Sequence, residues 1–191
     1  AVKSIKVGST AGLAALARGE GDVAGIHLMD EATGEYNRPF LPPRTGLLGG
    51  YGRRQGLAFR RGTPGLDGAD LAGFLAAARR GGLRMVNRNP GSGTRVLIDR
   101  LLGDLRPEGY TNQPRTHHAV AAAVAQGRAD WGMTLDVIAA SAGLGFLFVQ
   151  EERFDLAVRE ERRARPAVAA LAGLLDDPAV RQRLRSLGFS A

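Results

Sequence analysis

The chain has 191 residues, 44% of them hydrophobic but only 6% aromatic, which suits one ordinary domain or two small lobes with a core built mainly from Ala, Leu and Val. It carries no cysteine, which excludes disulfides, thiolate catalysis and zinc–thiolate sites, and no apolar run or leader-like segment that would insert in or cross a membrane. The net charge of +7 comes almost entirely from arginines in short clusters such as Arg53-Arg54 and Arg79-Arg80; this favours anionic partners in general, but without a basic helix interleaved with aromatics it argues against direct nucleic-acid binding.

Residues 5–7 read as a short strand that runs into Gly8-Ser9-Thr10. Ser9 or Thr10 would cap the Ala/Leu-rich helix over residues 11–18, and Gly19 would end it. Residues 22–28 form a strand apolar on both faces, as in parallel sheets. Residues 30–48, rich in Gly and Pro, read as a loop, and 55–60 as a strand. A helix over 66–80 starts near Asp67 or Asp70 and stops at Gly81-Gly82. A strand at 83–87 leads through Arg88-Asn89-Pro90-Gly91-Ser92-Gly93-Thr94 into a helix over 95–102. A second Ala-rich helix, 116–125, closes at Gly127 and precedes a strand at 130–135. Two more strands follow, at 146–149 and 154–158. Helices at 166–175 and 178–187 each place Pro in the first turn. The alternation predicts an α/β fold with mainly parallel sheets.

The chain also resembles itself. Residues 13–25 and 120–132 share an Ala-rich helix ending at Gly19 or Gly127, an Asp three residues later (Asp22, Asp130) and a Gly-containing apolar strand. The two copies lie more than half the chain apart, too far for a solenoid repeat, and suit two lobes built on one plan. Residues 1–55 and 150–191 are expected to form lobe 1, and 56–149 lobe 2. Segments 52–60 and 149–158 would cross between them, with a ligand cleft between the lobes.

The chemistry concentrates at two turns. Gly91-Ser92-Gly93-Thr94 sits between a strand and a helix N-terminus, where unpaired N–H groups and a partial positive charge meet. Glycines let an anion approach, Ser92 and Thr94 add hydroxyls, and Arg88 and Arg95 flank the turn with forked cations. The absence of a following Lys rules out a P-loop, and the missing third glycine rules out a dinucleotide fingerprint. Gly8-Ser9-Thr10 also joins a strand to a helix start; it acts either as a second oxyanion jaw or as a simple cap. His27 belongs either to the cleft or to the core. His117, at the start of the second Ala-rich helix, is either a ligand donor or a surface residue. With three histidines and no cysteine, no metal site is expected. Ser92, His117 and Asp136 can be named as a triad, but no nucleophile elbow marks them, so no catalytic residue is expected and the chain reads as a non-enzyme. Asp22 and Asp130 are expected to cap turns.

Gly8 to Leu16, Asp22 to His27, Thr33-Gly34-Glu35-Tyr36-Asn37, Asn87 to Arg95 and Glu152-Arg153-Phe154-Asp155-Leu156 together resemble the periplasmic-binding-protein-like domain of molybdate-linked regulators and molybdopterin-biosynthesis proteins. The pattern is more distantly similar to tungstate-binding transport proteins. The resemblance implies a type II fold of two α/β lobes, here without the strand and helix with which such domains begin. It implies a molybdate, tungstate or related ligand, no cofactor, and contacts from Ser9 and Thr10 in one lobe and Arg88, Ser92, Gly93 and Thr94 in the other, with His27, Arg95 and His117 as additional contacts. The expected role is oxyanion binding for transport or regulation, with an ABC permease or a separately encoded DNA-binding domain as partner. The alternative is a sensor of a larger effector, such as a pterin or molybdenum-cofactor species, in a transcriptional regulator, for which Tyr36, Tyr51 or Trp131 would form an aromatic wall. The expected location is the cytoplasm, or outside it if a signal peptide has been removed.

Overall fold

The computed structural model describes residues 3–191. Along the chain run α1 (Ser9–Ala17), β1 (Val23–Ile26), β2 (Thr45–Phe59), α2 (Leu71–Arg80), β3 (Met85–Val86) and α3 (Gly93–Leu102). They are followed by α4 (His117–Ala125), β4 (Trp131–Leu135), α5 (Asp136–Ser141), β5 (Gly145–Arg159), α6 (Pro166–Asp176) and α7 (Pro178–Ser186). These elements form two compact units. Unit 1 holds the chain up to Arg53, Gly91–Gly93 and Glu152–Ala191; unit 2 holds Arg54–Pro90 and Thr94–Glu151. Both β2 and β5 contribute residues to each unit.

In unit 1, β1 pairs antiparallel with β5, Val23 opposite Val158 and Ile26 opposite Asp155. The α1 helix lays Leu13 and Leu16 against Ala24, Ile26, Leu28 and Ala157, all buried. Its end is a Schellman cap: Gly19, at φ 74°, donates to the Leu16 carbonyl, and Glu20 donates to that of Ala15.

In unit 2, β4 is the central strand, antiparallel to β2 and parallel to β3. Alternate residues face opposite sides. One side packs Leu57, Phe59 and Trp131 against Phe74, Ile98 and Leu102, with the Phe74 and Trp131 rings edge-to-face at 5.5 Å. The other packs Ala58 and Val86 against Val120 and Val124 of α4. Thr116 caps α4 by accepting from the Ala119 N–H at 3.1 Å. Thr116→Ala is expected to remove about 1 kcal/mol of stability; a lowered urea midpoint with an unchanged slope would show it, and an unchanged midpoint would refute it.

The internal resemblance is structural. Gly127, at φ 72°, repeats the Gly19 cap through its bond to Val124 and that of Arg128 to Ala123. Asp22 receives Arg162 and Arg165, while Asp130 receives Arg60 and Arg84; Arg162 also reaches the Gly19 carbonyl as Arg84 reaches that of Gly127. Each aspartate therefore ties a helix end to a neighbouring strand or turn. Burial pushes the Asp130 carboxyl upward, but the Arg84 side chain and backbone N–H, with Arg60, hold it below its usual range. Even the helix–strand packing corresponds. A Cβ on Gly12 of α1 would sit 3.2 Å from that of Ala24, and one on Gly132 of β4 would meet Val120 of α4 at 2.8 Å. The small residue is on the helix in unit 1 and on the strand in unit 2.

The α/β class is as expected, but the sheet is mixed rather than mainly parallel: among the pairings described, only β3 with β4 is parallel. Residues 5–7 form no strand, and Ile5 and Val7 are exposed, because no described strand pairs with them. The strands expected at 146–149 and 154–158 are one, β5, because the polar stretch between them stays extended and buries Glu152. Similarly, β2 begins at Thr45, inside the expected loop. Its glycines serve close packing: a Cβ on Gly50 would overlap the Phe154 carbonyl, and one on Gly56 would overlap that of Leu147. The α5 helix was not anticipated.

Candidate functional site

In unit 1 the N-terminus of α1 is capped by Gly8 at φ 85°, which has no side chain to satisfy the first helical N–H groups. Ser9 is fully buried, and its Oγ accepts from the His27 backbone N–H at 3.2 Å. That bond fixes the oxygen and leaves the hydroxyl proton to be donated elsewhere. Thr10 is exposed and donates to the Gly91 carbonyl at 3.1 Å. Gly91, Ser92 and Gly93 thus pack with α1, so the turn that the sequence assigns to the second lobe is divided between the units. The reason is steric. At Gly91, where φ is 78°, a Cβ would meet Thr10 Oγ1 at 2.6 Å, and at Gly93 it would overlap the His27 carbonyl oxygen. Only glycines let the turn come this close. Ser92 is fully buried.

His27 lies at the centre of this arrangement. Its Nδ1 is 3.1 Å from Glu152 Oε2, and the other oxygen of that carboxylate pairs with Arg53. All three side chains are buried, and Arg53 lies 4.6 Å over the Phe154 ring. Burial alone would raise the Glu152 carboxyl, but His27 and Arg53 outweigh it and hold the group below the usual carboxylate range. Arg53 and Glu152 were assigned no role from the sequence. Each stands in a short charged run, Arg53 beside Arg54 and Glu152 between Glu151 and Arg153, which reads as a solvent-facing stretch and not as a buried pair.

In unit 2, Arg88 is buried, with its NH1 3.1 Å from His117 Nε2 and its NH2 3.4 Å from the Arg115 carbonyl. A guanidinium can only donate, so Nε2 is the acceptor in this pair. Thr94 is fully buried and accepts from Gln55 Nε2 at 2.7 Å, another partner not foreseen. Arg95 grips Asp99 at 2.8 Å, Tyr110 Oη at 2.6 Å and the Arg88 carbonyl at 3.1 Å, so it braces the Arg88 backbone. Asp136 lies 3.7 Å from Arg54. Thus Arg88 and His117 come together, as do Thr94 and Gln55, while in unit 1 Ser9, Thr10, His27 and Gly91–Gly93 do so. Among the described residues no group of three His, Asp or Glu side chains could hold a metal ion, and no helix is long and apolar enough to cross a membrane.

Two α/β units sharing long strands, with glycine turns leading into helix starts, are the architecture of binding-protein-like domains, and solved structures share it. An ABC-type phosphate transport receptor from Vibrio cholerae matches with a TM-score of 0.63 at 12% identity, over 97% of this chain and 86% of its own. A probable transcriptional regulator from Pseudomonas aeruginosa matches with a TM-score of 0.59 at 25% identity, over 84% of this chain and 50% of its own.

The chain belongs to the PBP superfamily, whose domain matches residues 1–176. The uncharacterized protein YvgK of Bacillus subtilis is 32% identical over 161 residues, 79% of this chain and 51% of that protein. The chain therefore spans about half the length of this relative. Its class is that of solute- and effector-binding domains.

Proposed function

We propose that this domain is non-catalytic and binds a small tetrahedral oxyanion, with molybdate and tungstate as the preferred ligands. The reading rests chiefly on α1, whose unfilled N-terminus carries a buried hydroxyl oriented by the His27 backbone. Such a helix start donates N–H groups along its dipole, and glycines at Gly91 and Gly93 keep side chains out of the way. Neutral donors suit a desolvated dianion, whose charge they spread without a rigid counter-ion. In unit 1 the proposed ligand residues are Ser9, Thr10, Ser92 and Gly93, with His27 as an additional contact; the candidates that unit 2 carries are Arg88 and Thr94, with His117 and Arg95 as additional contacts.

Calorimetric titration of the whole chain with molybdate, tungstate, sulfate and phosphate tests this. Saturable heat with one or more oxyanions, lost in Ser9→Ala, is the expected result. Absence of heat with all four would end the oxyanion reading. Similarity to a probable transcriptional regulator favours a second context, in which this binding tunes a regulator whose DNA-binding part lies elsewhere. That reading predicts that the ligand alters operator binding by the full-length protein; the transport reading predicts instead a complex with a permease.

A further inference from the structure

One motif, Thr33-Gly34-Glu35-Tyr36-Asn37, has no part in the oxyanion reading. In unit 1 it forms a tight turn. Asp30 Oδ1 accepts from Ala32 and Thr33, Gly34 donates back to the Asp30 carbonyl, and Met29 bridges to Tyr36. The next residue, Asn37, is fully buried at φ 66° and ψ −45°, and Arg38 donates to the Tyr36 carbonyl at 2.7 Å across it. This is the rare, strained form of the γ-turn. The Asn37 side chain holds it in place: Oδ1 accepts from Leu28 at 2.8 Å, and Nδ2 donates to Asp155 at 2.8 Å and to the Arg153 carbonyl at 3.1 Å. Strain held by so many bonds marks a place where side-chain placement matters.

What the strain places is the wall of a cavity. Tyr36 and Arg38, on either side of Asn37, line a pocket of about 420 Å³ together with Leu47, Leu48 and Arg153. That volume suits a small organic molecule, far larger than a tetrahedral oxyanion. The lining divides by chemistry. Tyr36 and the half-buried leucines offer flat apolar surface. Gly49, at φ 96°, leaves open space where a side chain would project. Arg153 is engaged by Asp155 at 2.9 Å, but among the described residues no hydrogen bond or ion pair engages the Arg38 guanidinium or the Glu35 carboxylate. One free cation and one free anion in the lining of the same pocket, beside an aromatic ring and two leucines, fit a ring that carries an acid group and an N–H.

We propose that this unit 1 pocket binds a planar heteroaromatic carboxylate. The ring lies along Tyr36 and Leu47, Arg38 holds the carboxylate, and Glu35 accepts from the ring N–H. The site shares no residue with the oxyanion set, and each can fail alone.

Titration of the whole chain with indole-3-carboxylate tests it, with indole and acetate as partial probes. Saturable binding of indole-3-carboxylate is expected, weakened about tenfold by Arg38→Gln and by Tyr36→Ala, and at least as much when the carboxylate is removed from the probe. Ser9→Ala, which should abolish oxyanion heat, is expected to leave this binding unchanged. Arg38 is exposed and Tyr36 only half-buried, so both variants should fold normally, and thermal unfolding will confirm it. Absence of saturable binding to the native chain, or equal affinity in Arg38→Gln and Tyr36→Ala, would overturn the proposal.

Discussion

Glu152→Leu is expected to cost about 3–5 kcal/mol of stability, because it leaves Arg53 charged and buried without its partner. Most of that loss is the penalty on the orphaned guanidinium and not the worth of the pair. The double variant Arg53→Met/Glu152→Leu should therefore recover much of it, since two apolar side chains of similar volume need no counter-charge. Urea unfolding of the native chain, both single variants and the double variant makes the comparison. If the double variant is as unstable as Glu152→Leu, the charge argument fails and packing is the cause.

The same group imposes an acid limb. Its folded-state carboxyl lies below the usual range, so at falling pH the unfolded chain takes up the proton first. The stabilisation is complete above the ordinary glutamate value of about 4.3 and drains away as the pH falls through the lower folded value. Stability of the native chain should drop across that window, and Glu152→Gln, which cannot titrate, should show a shallower drop. Parallel acid limbs would contradict the assignment.

Gly93→Ala is the second large effect. A Cβ there overlaps the His27 carbonyl, a backbone atom that cannot rotate away, so either the start of α3 or residue 27 must move. Overpacking of this kind costs roughly 1–3 kcal/mol. The consequence for binding should exceed that for stability, because His27 also fixes Ser9 Oγ. At least a tenfold weakening of oxyanion binding is expected by calorimetry, in a protein whose circular dichroism is native. Native-like affinity in a folded Gly93→Ala chain would show that the contact between Gly93 and His27 does not shape the site.

Much of this molecule is legible from residue order. The two Ala-rich helices, their glycine caps and the aspartates that follow could be located because helix propensity, left-handed caps and apolar strands act over a few residues. The glycine–serine turn before α3 could be singled out for the same reason. Other features are set by neighbours distant in the chain. The polar run from Gln150 to Arg153 looks like a break between strands, yet it is extended because Arg53 and His27 satisfy Glu152. The glycines of β2 look like loop residues, yet they are needed where the Phe154 and Leu147 backbones approach. Arg95, which flanks the glycine turn in the sequence, is taken up by Asp99 and Tyr110.

The glycine turn shows the division most clearly. Sequence alone determined its composition, its place before a helix and the donors it carries, because these depend on adjacent residues. Only the tertiary structure decided its company. Gly91–Gly93 lie against Thr10 and His27 in unit 1, while Arg88, three residues before the turn, and Thr94, directly after it, are fixed by His117 and Gln55 in unit 2. Spacing along a chain sets which groups are near in sequence; excluded volume at Gly91 and Gly93, and hydrogen bonds to groups far along the chain, set which are near in space.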